Sequence, residues 1–461
     1  IYKKIAFVNC CFKQNKQLGT SGGGAFQMGM TSNAHFEMSF ESCEFTQNSA
    51  NGSGGALFIC TDNSATINKC IFNDNHALGT SSGGDGNGGA IFLKTNSMKT
   101  VSIGDCNFTN NSDKLGNGTA IYILNDDASG KCSVNINQGC RFNNNYDQNN
   151  KHNFAIYSSS PFFSILDSMI ESNDVLNKCS GINFVGASIE NSVSNTLFFK
   201  CYNDDGSSSA LGIKIEEGVK SVDIQNCKFE LCGQRHDKAD KYFDTYTIYD
   251  SGLNTKIKEC IFRGDLESSI RCPSIKILSY GTHEIRDCLI SYPICTNRGA
   301  IFYQPSTGDQ MEENFIFQDT IINYPEGTEN IGCHLTIQNS ELVDISNITI
   351  ENSKLGSTLI GCELKCETFT FDKFTFFDNS CNESFGGGPG IWFEGTESHV
   401  TFSECLFENN SNINGNGGGI QIDNSDSTIS PIFTFEGCKF IGNSGKCGGG
   451  ICIEIYKNIT I

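Results

Sequence analysis

One short pattern limits the possible architecture more than anything else in the chain: a Cys-x-Phe-x-x-Asn tag, reached each time through a glycine-led apolar strand. It is complete in Gly88-Gly89-Ala90-Ile91-Phe92-Leu93, a polar bend, Val101-Ser102-Ile103 and Cys106-Asn107-Phe108-Thr109-Asn110-Asn111. A unit this small cannot bury its own apolar face, so it must stack on copies of itself. Tags begin at Cys10, Cys43, Cys70, Cys106, Cys140, Cys227, Cys260, Cys288, Cys405 and Cys438, with degenerate copies at Ser168, Thr196, Thr320, Ile348 and Phe374. Between them run strands such as Gly54-Gly55-Ala56-Leu57, Gly118-Thr119-Ala120-Ile121 and Gly418-Gly419-Ile420. About thirty residues with three short strands and no helical periodicity predict one coil of a parallel β-helix. A propeller blade would need about forty residues in four antiparallel strands, whereas hairpin signals such as Asn51-Gly52 occur only once per unit. The expected fold is all-β: a single continuous solenoid over residues 1–461, of about 15 coils with three short strands per coil.

Period-two alternation then sorts the side chains. Ile213-Lys214-Ile215 and Ile420-Gln421-Ile422 place the first and third residues inside. The Cys and Phe of a tag share that inner face, so Phe108, Phe142, Phe229, Phe262, Phe407 and Phe440 are expected to stack as an interior ladder. The closing Asn (Asn48, Asn75, Asn111, Asn145, Asn410, Asn443) falls at a bend, where Asn tolerates left-handed backbone and its amide can bond the next coil. By the same parity Phe58, Phe92, Tyr122, Tyr157, Tyr249, Phe302 and Trp392 form one external column, with Gln27, Asn183, Lys214 and Gln421 in line. Contiguous exposed aromatic surface marks an interface, which makes this column the candidate partner-binding face. Loops over the column, or a parity shifted by one, would instead make these rings core. Residues 233–245 and 303–314 are polar, interrupt the period and read as loops extruded from a coil.

The formal charge of −20 argues against nucleic acid and anionic membrane surfaces as partners. No apolar run of about eighteen residues points to direct membrane insertion by a helix. The chain begins and stops inside strand-like segments and reads as a fragment of something longer. Twenty-four Cys suit an oxidising compartment. Sequons at Asn51, Asn107, Asn110, Asn117, Asn347, Asn382, Asn409 and Asn458 are glycosylation candidates. Together they place the protein outside the cell or on its surface.

The tag cysteines form one column in which neighbouring coils bring Cα atoms about 4.8 Å apart, within disulfide range. Cys10/Cys43, Cys70/Cys106, Cys106/Cys140, Cys227/Cys260 and Cys405/Cys438 are neighbours by coil, but Ser168 and Thr196 share the column and point to a slot for any small side chain. Buried thiols and bridges are both open on this reading. The off-column Cys60, Cys132, Cys179, Cys362, Cys366, Cys447 and Cys452 are the better disulfide candidates.

Catalytic chemistry finds little. Glycoside hydrolysis needs two facing carboxylates, and the pairs Asp126-Asp127, Asp204-Asp205 and Glu216-Glu217 have no His or Arg recurring beside them. His35, His76, His152, His236, His283, His334 and His399 show no metal spacing. No catalytic or metal residue and no cofactor is expected. Calcium at acidic turns such as Asn125-Asp126-Asp127 or Asp423-Asn424-Ser425-Asp426 is the one ion whose ligand chemistry would suit.

The alternation of Gly-Gly-Ala-Ile/Leu with Phe-x-x-Asn resembles the polymorphic outer membrane protein (Pmp) repeat family of chlamydial autotransported adhesins and Pmp-like surface proteins of protists. The matching pieces include Gly54-Gly55-Ala56-Leu57 with Phe72-Asn73-Asp74-Asn75, Gly88-Gly89-Ala90-Ile91 with Phe108-Thr109-Asn110-Asn111, and Gly418-Gly419-Ile420 with Phe440-Ile441-Gly442-Asn443. The resemblance implies a right-handed β-helix displayed at a cell surface, with adhesion as its usual role; Cys and sequon density favour the protist branch. The expected function is a non-enzymatic surface or matrix solenoid of adhesin or structural type, binding protein or glycan along an outer face. The alternatives are a carbohydrate-active β-helix enzyme, and a filament subunit whose unpaired end coils stack end to end.

Overall fold

The computed structural model describes residues 3–29, 36–60, 64–80, 85–95, 100–125, 132–148, 153–172, 179–186, 188–203, 210–235, 246–264, 270–271, 275–291, 300–305, 314–324, 329–330, 335–355, 362–381, 391–394, 399–424 and 432–455, some of them by backbone alone. They fall into two compact units, Ile1–Gly233 and Gln234–Ile461.

In the first unit the coil of residues 88–113 shows the plan. Ile91–Lys94, Thr100–Gly104 and Asn107–Thr109 form three sides, and a two-residue strand, Ser112–Asp113, closes the fourth. Each strand pairs in parallel with its counterpart on the coils before and after: Ile91 with Leu57 and Ile121, Ile103 with Ile67 and Ile136, Phe108 with Phe72 and Phe142. The period is thus a parallel β-solenoid, as the tags required. In the second unit the sides fuse into long strands, Asn314–Asn323, Leu335–Glu351 and Cys362–Asp372, where the tags are degenerate. The short closing strand makes two parallel sheets of five strands, one in each unit. Among the described residues, then, about ten turns carry the full strand set, fewer than the fifteen tags, and each has a fourth short side that the sequence did not announce.

The core is built from the inward positions. Phe12, Phe45, Phe72, Phe108 and Phe142 stack coil on coil at 4.7–4.8 Å with their planes within 3°. Phe407 and Phe440 do the same at 4.9 Å in the second unit. Each buried ring contributes about 1.5–3 kcal/mol, and each stacked pair roughly 0.5–1.5 kcal/mol more.

The corners differ from expectation. Left-handed backbone falls one residue before the tag Cys, as at Lys69 (φ 52°) and Asp105 (φ 50°), and one residue before the closing Asn, as at Gln47 (φ 56°), Asp74 (φ 56°) and Asn110 (φ 54°). The closing Asn itself is a hydrogen-bonding residue. Asn111 Oδ1 accepts the backbone N–H and the amide of Asn75 at 3.1 and 2.9 Å, while its own Nδ2 donates to the Phe72 carbonyl and to Asn145 Oδ1. Asn48, Asn75, Asn111 and Asn145 repeat this as one buried amide column, and Asn379, Asn410 and Asn443 form a second. At the glycine pair, Gly88 takes φ 70°, and a Cβ on Gly89 would land on the Thr119 carbonyl oxygen of the next coil.

Candidate functional site

The external column exists, with the parity read from the sequence. Gln27, Phe58, Phe92, Tyr122, Tyr157, Asn183 and Lys214 follow one another in register, while Leu57, Ile59, Ile91, Leu93, Ile121 and Ile123 between them are buried. Four rings stack: Phe58 on Phe92 at 4.8 Å, Phe92 on Tyr122 at 5.4 Å, Tyr122 on Tyr157 at 4.8 Å, all within 8° of parallel. This makes the column less open than expected. Phe92 is only 6% exposed and the other three are half-buried, because each ring spends its faces on its neighbours. What remains outward is a ridge of ring edges. Beyond Tyr157, Asn183 donates to Glu216 Oε1 at 3.0 Å and Lys214 pairs with the same oxygen at 2.9 Å. Burial, and then the Glu216 carboxylate, hold the Tyr157 phenol above its usual range.

The second unit's share of the column is closed rather than open. Lys276 sits in register between Tyr249 and Phe302. Its ammonium lies 5.2, 5.5 and 5.4 Å from the ring centres of Tyr246, Tyr249 and Phe302. Lys276 and Phe302 are buried as a result, so the lysine fills the cage a partner would have needed. Gln421 is also buried, and the side chain of Trp392 lies outside the described residues. The candidate face therefore narrows to Phe58, Phe92, Tyr122 and Tyr157.

Coil stacking also brings together a constellation that the sequence did not reveal. Asp250 ends the strand Tyr246–Asp250, His283 lies on Thr282–Arg286, and Ser279 lies in the link before it. His283 Nδ1 stands 3.1 Å from Asp250 Oδ2, off the line of a hydrogen bond, and His283 Nε2 is 3.3 Å from Ser279 Oγ. The order Asp, His, Ser is that of a hydrolytic triad, but the proton arrangement is wrong for one. The Ser279 hydroxyl donates to the Gly252 carbonyl, and His283 Nε2 also faces the Tyr280 carbonyl at 3.2 Å. Opposite a carbonyl oxygen Nε2 must be the donor, so it has no lone pair with which to take a serine proton. All three face the interior, Asp250 and His283 wholly buried and Ser279 7% exposed. The cluster is a polar plug in the core.

The tag cysteines also resolve. Cys43, Cys70, Cys106, Cys140, Cys288, Cys405 and Cys438 carry free thiols, as do Cys10 and the off-column Cys132 and Cys447. Cys60 and Cys452 are buried, and the side chains of Cys179, Cys362 and Cys366 lie outside the described residues. In-register parallel strands keep equivalent Cβ atoms about 4.8 Å apart, beyond the roughly 3.5–4.5 Å a disulfide needs. Equal Cα spacing was the wrong criterion for bridging. The thiols donate instead: Cys106 to Gly104 O at 3.1 Å, Cys227 to Gln225 O at 3.3 Å, Cys260 to Lys258 O at 3.1 Å. Ser168, Thr196 and Thr320 make the same bond two residues back, at 3.0, 2.9 and 2.9 Å. Where Cys, Ser or Thr stands, the slot holds a small donor, whereas Ile348 and Phe374 fill it with apolar bulk in the second unit. Cys106→Ser is therefore expected to cost no more than about 1 kcal/mol in urea unfolding, and a loss several times larger would refute the equivalence.

Of the sequons, Asn107, Asn110, Asn117, Asn347 and Asn409 are exposed and Asn51 is half-buried; Asn382 and Asn458 lie outside the described residues. So do Asp126, Asp127, Asp204, Asp205, Ser425 and Asp426, and residues 236–245 and 306–313 of the two expected loops. Among the described residues no three His, Cys, Asp or Glu side chains converge as metal ligands.

A family model described as the right-handed beta helix region matches residues 273–461. No curated protein and no solved structure matches the chain. The match agrees with the parallel pairing seen in both units, and the fold is a right-handed parallel β-solenoid.

Proposed function

We propose that this chain is a non-enzymatic solenoid of the extracellular space or cell surface, of adhesin or structural type and similar to the Pmp-like surface proteins, and that it binds a protein partner along the ridge of Phe58, Phe92, Tyr122 and Tyr157. The fold by itself serves adhesins and carbohydrate-active enzymes alike. The observation that carries the reading is the four-ring stack on the outer side of the first strands. Sugars pack on ring faces, and here the faces are consumed within the stack, so an extended protein surface fits the remaining edges better than a glycan does. The inward direction of Asp250, His283 and Ser279 supports a non-catalytic role for this triad-like cluster. No cofactor enters the reading.

The test replaces Tyr122 and Tyr157 by Ser together. Retention on immobilised extracellular-matrix protein should fall at least about tenfold, as for loss of roughly 1.4 kcal/mol or more at an interface, with the far-ultraviolet spectrum unchanged. Undiminished protein retention, or retention on a glycan array that falls instead, would count against the proposal.

A further inference from the structure

The spacing that keeps the tag thiols from bridging one another suits a different bond. Cys43, Cys70, Cys106 and Cys140 stand on consecutive coils, at most 1% exposed, each next to residues paired in register, Glu44 with Ile71, Ile71 with Asn107 and Asn107 with Arg141. Every sulfur after the first also receives a backbone N–H from the preceding cysteine: Cys43 N to Cys70 Sγ at 3.4 Å, Cys70 N to Cys106 Sγ at 3.4 Å, Cys106 N to Cys140 Sγ at 3.5 Å. A donor aimed at sulfur stabilises a thiolate. Two metal–sulfur bonds of about 2.3 Å, the length zinc thiolates show, span about 4.6 Å across a linear ion, close to the strand repeat of about 4.8 Å. Zinc itself is poorly served, since it wants four ligands and no third donor converges among the described residues.

We propose that neighbouring tag thiols, Cys70 with Cys106 or Cys106 with Cys140, form a linear two-sulfur site for a soft monovalent cation of the copper(I) or silver(I) class. Thiolate sulfur selects such ions. On binding, each of the two thiols gives up its proton to solvent and each sulfur forms one bond to the ion. No electron is transferred, and the complex carries one negative charge. The backbone N–H groups already directed at the sulfurs meet that charge, while the bonds the thiols donate to the carbonyls of Asn68, Gly104 and Asn137 are given up as the sulfurs turn to the ion.

Because each sulfur serves one ion, the column Cys10, Cys43, Cys70, Cys106 and Cys140 takes two. This gives opposite outcomes for two similar substitutions. Cys106→Ser leaves Cys140 without a neighbour and Cys10, Cys43 and Cys70 with one pairing, so the protein should hold one copper(I) fewer than wild type. Cys140→Ser leaves two complete pairs and should lose none. The experiment loads the reduced protein anaerobically with copper(I) against a competing chelator, counts bound copper and reads the coordination by X-ray absorption. One equivalent lost in Cys106→Ser, none in Cys140→Ser, and two sulfurs per copper would support the site. Equal loading of both variants, equal losses from both, or copper that disappears with the exposed Cys447→Ser, would overturn it. An unchanged far-ultraviolet spectrum and urea midpoint in Cys106→Ser separate loss of the site from unfolding, and copper lost only together with the fold would overturn the proposal.

Discussion

Asp250→Ala is expected to destabilise the second unit by about 3–5 kcal/mol, the usual cost of removing one member of a buried pair and leaving the other. His283 is wholly buried and has Asp250 Oδ2 3.1 Å from its Nδ1. Without the carboxylate that nitrogen faces a cavity, and the Gly252 N–H loses its 2.8 Å bond to Asp250 Oδ1. The turn carrying Gly252 also accepts from Ser279, so the damage spreads to the corner that orients the next strand. The double variant Asp250→Ala/His283→Leu should recover part of the loss, because an apolar pair strands neither group. Urea unfolding of the single and double variants checks both statements. A single-variant loss within about 0.5 kcal/mol, as for a surface substitution, would show that the cluster is not a structural plug and would reopen a catalytic reading.

The fold was readable because its cause is repeated. Every glycine pair, inward Phe and closing Asn asks for the same parallel stacking, so a weak signal such as Gly418-Gly419-Ile420 gains weight from the others. Parity is offered by Ile213-Lys214-Ile215 and Ile420-Gln421-Ile422, with a one-residue shift left open, and the buried Leu57, Ile59, Ile91 and Leu93 now fix the inner face. Side-chain environments across coils were not readable. The cluster of Asp250, Ser279 and His283 joins residues from different coils, and none of the three carries a local sequence mark. Lys276 has the residue type of a solvated position, yet the strand register sets it among Tyr246, Tyr249 and Phe302. The left-handed corners were missed for a related reason: Lys69, Gln47 and Leu231 hold φ values of 52°, 56° and 56°, although none is a residue type associated with that conformation. The neighbouring amide and thiol columns over-determine the backbone there, and the expected signal, Asn, was assigned to the wrong one of two adjacent positions.

That reassignment can be tested at Asn111. If the closing Asn served the bend, Asp would replace it at little cost, because Asp tolerates turn conformations nearly as well. If it serves the column, Asp fails along with Ala. In Asn111→Ala the backbone N–H and amide of Asn75 lose their shared acceptor, and the Phe72 carbonyl loses its donor, all in a fully buried setting. Stranded buried groups cost about 1–3 kcal/mol each, and partial relaxation brings the expected total to roughly 4 kcal/mol, or about 10 °C in the melting temperature of a unit this size. Asn111→Asp keeps the acceptor for Asn75 but turns a carboxylate oxygen toward the Phe72 carbonyl and Asn145 Oδ1, where Nδ2 now donates. Burying that charge against two acceptors should make it at least as damaging as alanine at neutral pH. Acidification that protonates the carboxyl restores one donor, so Asn111→Asp should regain stability toward low pH while Asn111→Ala does not. Thermal melts of the two variants at neutral and acid pH decide the matter, and an aspartate variant as stable as wild type at neutral pH would return the closing Asn to the role of a turn residue.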